Sequence, residues 1–212
     1  MPECAGHQIL PYTDWNALWS LPANQDATII STSIRINYCP TRGRKTVVQS
    51  IAVTDYAGNG GSYGNWDSIT QPTNSLDGVL VPSNSGAAIS LAKVADGASS
   101  TLLVAEKWLY RDRYNVRSGP DACIDDQGWC NGWDNDTICF SGSGPPYTGA
   151  PPQNDSKSGW VCGLIFGSAH TVGMNGLLCD GSVHFLSFTI DPEIWQHLCC
   201  RNDGQPVDLG GN

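Results

Sequence analysis

His170 stands ten positions before the pair Asp180 and Gly181 in "FGSAHTVGMNGLLCDGSVHFLSF". An imidazole and a carboxylate at that range raise three chemistries: an acid–base pair, two metal ligands, or a clamp across a hairpin. The residues between them favour the third. "MNGLLC" and "SVHFLSF" alternate as strands do, and Asp-Gly supplies the positive φ angles of a tight turn. Ten residues of extended chain span up to about 33 Å, which puts His170 and Asp180 at opposite strand ends. His170, Asp180 and Gly181 are therefore expected to shape a hairpin and its loop.

Three other groupings carry chemical potential. "DDQGWCNGWDNDT" gathers Asp125, Asp126, Asp134, Asn135 and Asp136, hard oxygen donors in a glycine-rich stretch that suit Ca²⁺. Asp134, Asn135 and Asp136 are the expected calcium ligands, although the spacing is not that of an EF-hand. Ser168 lies two residues from His170, but "FGSAH" lacks the spacing of a nucleophile elbow. A thiol nucleophile needs an electropositive setting that an acidic chain does not advertise. For a hydrolase acting on a polysaccharide or ester, the least arbitrary set is Glu106, His170 and Asp180, the two acids falling at strand termini. Trp129, Trp133 and Trp160 would suit stacking on sugar rings as well as core packing.

The elements that must position these groups are short. Among 212 residues are 24 Gly and 13 Pro with only 15% charged residues, which predicts a loop-rich α+β or mostly β chain. Trp15, Leu18 and Trp19 have helical spacing behind Thr13 and Asp14. Ile34, Ile36 and Tyr38 alternate as a half-buried strand stopped by Pro40, and a second strand region spans 46–56. "AGNGGSYGNWDS" reads as a glycine-rich loop without the context of a phosphate cradle. "LDGVLVP" gives a turn and a short strand, and a buried strand follows over 101–108. Residues 111–160 show no periodicity and are expected to form an irregular insertion in one head domain spanning 1–212. Asp191 and Pro192 cap and open a final helix.

The net charge of −9 excludes nucleic acid as a partner, and the one basic run, Arg42 to Lys45, is expected in a solvated turn. Nine cysteines without a C-x2-C pair fit an oxidising compartment better than a zinc ribbon. Cross-links among Cys123, Cys130, Cys139 and Cys162 would restrain the polar insertion, whereas the adjacent Cys199 and Cys200 cannot easily bridge each other. "MPECAGHQIL" has neither a basic start nor a long apolar run. With exported-type cysteines, that leads to the expectation of an extracytoplasmic fragment whose N-terminus has been removed.

"FGSAH", nine residues and "DG", continuing as "SVHFLSFTIDPEIWQHL" and "RNDGQPVD", closely resemble the C-terminal signature of the planctomycete DUF1559 family, the prepilin-type H-X9-DG proteins. "QILPYTDWNALW", "YCPTR", "TDYAGNGG", "LDGV", "ADGASSTLLVAEK" and "WDNDT…PP" extend the resemblance over nearly the whole chain. It implies a membrane-anchored parent with a prepilin-like leader, a long hydrophobic helix, and a globular head similar to type II secretion pseudopilins. It further implies an antiparallel sheet packed on that helix. The function expected is a non-enzymatic surface or secretion-associated role through protein or glycan contacts, with self-association through the face the helix would cover. Major pseudopilins can carry a loop calcium, which extends the calcium-stabilised reading by analogy.

Overall fold

The computed structural model describes residues 4–64, 76–82, 88–117, 126–142, 151–155 and 164–210. Within them lie nine strands: β1 Val47–Val48, β2 Ile51–Ala52, β3 Tyr56–Gly61, β4 Leu102–Glu106, β5 Ile138–Phe140, β6 Gln153–Asn154, β7 Gly167–Ser168, β8 Gly173–Leu178 and β9 Val183–Ser187. Four α-helices accompany them, α1 Ala5–Gln8, α2 Asn16–Trp19, α3 Asp26–Ser31 and α4 Pro192–Cys199. The fold is α+β, as expected. Its central sheet has the order β5-β3-β4-β8-β9. Three of its pairings are antiparallel, but β5 runs parallel to β3, so the sheet is mixed.

β5 lies within residues 111–160, where no regular element was expected. Ile138, Cys139 and Phe140 are all buried and close one edge of the sheet, a parallel strand reached through a long connection. Cys139 is an unbridged core thiol there, not a loop cross-link, and burial pushes it up to about 12. Cys130 pairs with Cys4, 126 positions away. Cys123 and Cys162 lie outside the described residues.

β3 corrects a second expectation. "AGNGG" is an interior strand of the sheet, between β5 and β4, not a loop, and its glycines serve close packing. A Cβ on Gly58 would come within 2.1 Å of Leu80, and one on Gly60 within 2.6 Å of Phe140. Between them, the Asn59 amide donates to the carbonyls of Leu102 (2.8 Å) and Cys199 (2.9 Å), tying β3 to β4 and α4.

The segment "SIRINYCP" is likewise not a strand. Arg35–Asn37 forms a 3₁₀ turn with Ile34 buried and Ile36 54% exposed. Asp55 claims this backbone: its N–H donates to Asn37 O (2.8 Å), and its Oδ2 accepts from Cys39 N (2.7 Å). The region 46–56 yields only the β1–β2 hairpin and the start of β3, and "LDGVLVP" makes bends without a strand.

One sheet face is the core. Ala57, Leu102, Ala105, Met174, Leu178 and Leu186 cluster with Trp195, Leu198 and Cys199 of α4. Each large apolar side chain so buried stabilises the fold by about 1.5–3 kcal/mol. Asp191 starts α4 as expected, accepting from Glu193 N (2.8 Å) and Ile194 N (3.2 Å). A second cluster, Leu10, Leu18, Ile29, Ile34, Ala52 and Trp129, forms around the Cys4–Cys130 bridge. Among the described residues, no helix is long and apolar enough to cross a membrane.

Candidate functional site

Three segments distant in sequence meet at the C-terminal end of β4. Glu106 is the last residue of that strand, paired with Tyr56 across the ladder. Past the Ala105–Gly176 pairing, its carboxylate bends over to accept from Asn175 N (2.7 Å) and Asn175 Nδ2 (3.3 Å), both on Oε2. Cys39 arrives on the turn that Asp55 pins. His170 lies between β7 and β8 in a tightly bonded loop. Its N–H donates to Ser168 Oγ (3.0 Å), its carbonyl accepts from Asn154 Nδ2 (2.7 Å), and the Ser168 hydroxyl donates to Gly173 O (2.7 Å).

With that backbone fixed, the His170 ring turns into the Cys39–Glu106 pair. Its Nε2 is 3.1 Å from Glu106 Oε1 and 3.5 Å from Cys39 Sγ. Glu106 and Cys39 are buried, and the His170 side chain is 25% exposed. Asp180 is elsewhere. It sits exposed at the far end of β8, about 20 Å of strand away, in the turn where Gly181 takes φ 89°. Its Oδ1 accepts from Ser182 Oγ (2.6 Å) and Ser182 N (2.9 Å), bonds that hold the carboxyl below its usual range. Of Glu106, His170 and Asp180, the structure joins the first two and leaves out the third.

The geometry limits the chemistry. A nucleophile–base–acid relay uses both ring nitrogens, one toward the nucleophile and the other toward the acid. Here Cys39 and Glu106 approach the same nitrogen. Burial, followed by the Glu106 carboxylate, pushes the Cys39 thiol up, away from the thiolate. Burial and Glu106 also push the neighbouring Tyr56 phenol up to about 12. Despite its short distance to Nε2, Glu106 Oε1 is buried and accepts no well-directed hydrogen bond. Three donor atoms thus face one point.

A family model described as a protein of unknown function, DUF1559, matches residues 8–193. The chain belongs to this family. No curated protein and no solved structure matched it. The matched span of this DUF1559 chain contains Cys39, Glu106, His170, Asp180 and Gly181.

Beside the cluster lies a second set of buried charges that sequence reasoning missed. Arg42 and Arg44 are buried, correcting the expectation of a solvated turn. Arg42 Nε donates to Asp155 Oδ2 (2.9 Å), and Arg42 Nη1 lies 3.1 Å from Asp55 Oδ1. Arg42 also donates to the carbonyls of Lys107, Asp55 and Gly167, while Arg44 Nε meets Asp55 Oδ1 at 2.7 Å. Burial opposes the Arg42 charge, but Asp155 and Asp55 outweigh it and hold the guanidinium above its ordinary range. The available signal was "CPTR" followed by "TDY", basic and acidic residues in otherwise apolar surroundings.

The expected calcium stretch is a hydrogen-bonded turn. Asp136 Oδ2 accepts from Gln127 N (2.7 Å) and Gly128 N, while Asp134 Oδ1 accepts from Asp136 N (3.0 Å). Asn135 is buried beside them, and Asp125 lies outside the described residues. Two clusters among the described residues have donors close enough for a metal: Cys39–Glu106–His170 and Asp96–Cys200–Asp203. In the latter, Asp96 already accepts from Asp203 N and Gly204 N, and Asp203 is bonded to His197. As for sugar stacking, Trp129 is buried, Trp133 packs edge-on against Phe140, and Trp160 lies outside the described residues.

Proposed function

We propose that this chain is an extracytoplasmic, non-enzymatic head domain of pseudopilin type that works by docking an apolar helix on the outer face of its sheet. One observation carries the reading: an apolar strip on the face opposite α4. Side chains alternate across a sheet, so the registered row Val104–Leu177–Val183 and the neighbouring Phe185 share that outer face. Val104 and Leu177 are half-buried, while Val183 and Phe185 are 66% and 51% exposed. Phe185 lies over Gly173, where a Cβ would meet its ring at 2.7 Å, so the glycine makes room for the aromatic. An uncovered strip of this kind marks a contact surface. A helix of the kind that pseudopilin heads pack against is the occupant of matching chemistry. The Cys4–Cys130 bridge supports an oxidising location.

Where no helix is docked, the strip should pair with its copy. Sedimentation of the isolated chain is expected to show concentration-dependent self-association, abolished by the double substitution Val183→Glu and Phe185→Glu. A clean monomer at every concentration would overturn the docking reading.

A further inference from the structure

We propose that Cys39, Glu106 and His170 form a binding site for one zinc-class divalent ion, ligated through Sγ, Oε1 and Nε2, with a fourth position open to solvent beside His170. This goes beyond the docking reading and stands independently of it, since the two use different side chains.

The distances are those of ligands around a common centre. A tetrahedral zinc ion with its usual bond lengths separates a bound sulfur from a bound nitrogen by about 3.6 Å, and a nitrogen from a carboxylate oxygen by about 3.4 Å. The observed separations are 3.5 Å and 3.1 Å, and all three donor atoms lie within 4.8 Å of one another. The approach of both partners to the same imidazole nitrogen is awkward for a proton relay but is what a shared ion produces.

Charge supplies an independent reason. Glu106 is fully buried, its Oε1 faces the cluster without a directed hydrogen bond, and its ion partner among the described residues is an imidazole, not a lysine or arginine. Buried carboxylates need a cation. Asp55 and Asp155, the buried acids of the neighbouring cluster, have arginines. A divalent ion with one thiolate, one carboxylate and one neutral imidazole would make the site electrically neutral. On binding, the Cys39 sulfur forms a bond to the ion, and its proton leaves to solvent.

Supporting contacts are in place. Asn175 holds Glu106 Oε2 through two hydrogen bonds, leaving Oε1 for the ion, and Asp55 Oδ2 fixes the Cys39 backbone N–H at 2.7 Å. The mixed sulfur, nitrogen and oxygen set selects zinc-class ions over calcium or magnesium.

The test is cobalt titration of the chelator-stripped chain, followed by competition with zinc. The expected result is one Co²⁺ per chain with a thiolate-to-cobalt charge-transfer band, displaced by one Zn²⁺, and a melting temperature raised by zinc. Cys39→Ser should remove the band. His170→Ala, at a partly exposed position that tolerates change, should weaken binding beyond the about 10–100-fold typical of losing an outer-shell partner, and Asn175→Ala by about tenfold. The proposal is overturned if the native chain gives no thiolate band, if the band survives Cys39→Ser, or if His170→Ala binds cobalt as tightly as the native chain.

Discussion

Cys39 and Arg42 sit three residues apart in "CPTR", yet they enter two buried clusters with opposite electrostatics. Around Arg42, two aspartates face two guanidiniums, and carbonyls take up further donors. Leu109 N also bonds Asp155 Oδ1 (2.9 Å), and Cys39 N bonds Asp55 Oδ2. Around Cys39, one buried carboxylate faces a thiol and an imidazole, and one of its oxygens has no directed hydrogen bond. The first cluster is complete without any ligand and fastens the turn to β3, β4 and the segment after β6. The second has only an imidazole to balance its carboxylate, the arrangement that the proposed ion would complete. Adjacent buried acids are thus told apart by what neutralises them, a distinction between holding the fold and binding something that burial alone does not reveal.

The comparison breaks most visibly at Arg42. Arg42→Ala takes the guanidinium from buried Asp155 and leaves Asp55 with Arg44 alone, and urea denaturation should show a loss of about 3–5 kcal/mol. A loss below about 1 kcal/mol would mean that the network is not holding the fold. Gly60→Ala measures the cost of ordinary packing away from both clusters: the added methyl meets the Phe140 ring and Ile138, and about 1–3 kcal/mol should be lost. Glu106→Gln sharpens the contrast by its sign. In the presence of a chelator, removing a buried charge balanced only by an imidazole should leave stability within about 1 kcal/mol of native or raise it, because glutamine can still accept from Asn175 N. A loss comparable to that of Arg42→Ala would make Glu106 a second structural acid.

A partly exposed carboxylate–imidazole pair offers a control. His197 Nδ1 meets Asp203 Oδ2 at 2.6 Å, and Glu193 lies a helical turn before His197. The Asp203 hydrogen bond raises His197 above its ordinary value, despite some opposing burial. Partial burial works against the Asp203 charge, and the bonds from His197 and Gln205 N override it, lowering the carboxyl. A raised imidazole contributes stability below its unfolded value of about 6.5 and loses it as pH rises through the folded value. A lowered carboxyl contributes above its unfolded value of about 3.9 and loses it as pH falls through the folded value. Asp203→Asn should therefore lower stability by less than about 1 kcal/mol, mostly between those limits, and leave it near native at pH 9. An equal loss at pH 9 would mean that the pair acts by packing. Asp180→Ala should have the smallest effect of all, a slight drop in melting temperature with unchanged cobalt binding. Impaired cobalt binding would place the turn carboxylate in the site after all.

The legible parts of this molecule were local. Alternation and a turn pair announced the β8–β9 hairpin, and Asp191-Pro192 announced α4, because those signals are written in adjacent residues. β4, the middle strand, was legible as an apolar run, but its neighbour β3 was not. β3 is rich in glycine because Leu80 and Phe140 occupy the space its side chains would take, and only the packed structure shows that. The same holds for the site. Glu106 and His170 could be nominated by residue type, but nothing in their spacing says that they meet, and Cys39 is 131 positions from His170. Separating His170 from Asp180 along an extended strand rested on chain length alone. The ring's partners depend on how the β7–β8 loop turns, which Ser168 and Asn154 decide.

Anomalous diffraction at the zinc edge, from crystals grown with stoichiometric zinc, tests the central claim most directly. A single peak about 2.0–2.3 Å from Cys39 Sγ, Glu106 Oε1 and His170 Nε2 is the predicted result. A map with no density there, or with its peak at Asp134–Asp136 or at Asp96, Cys200 and Asp203, would contradict it.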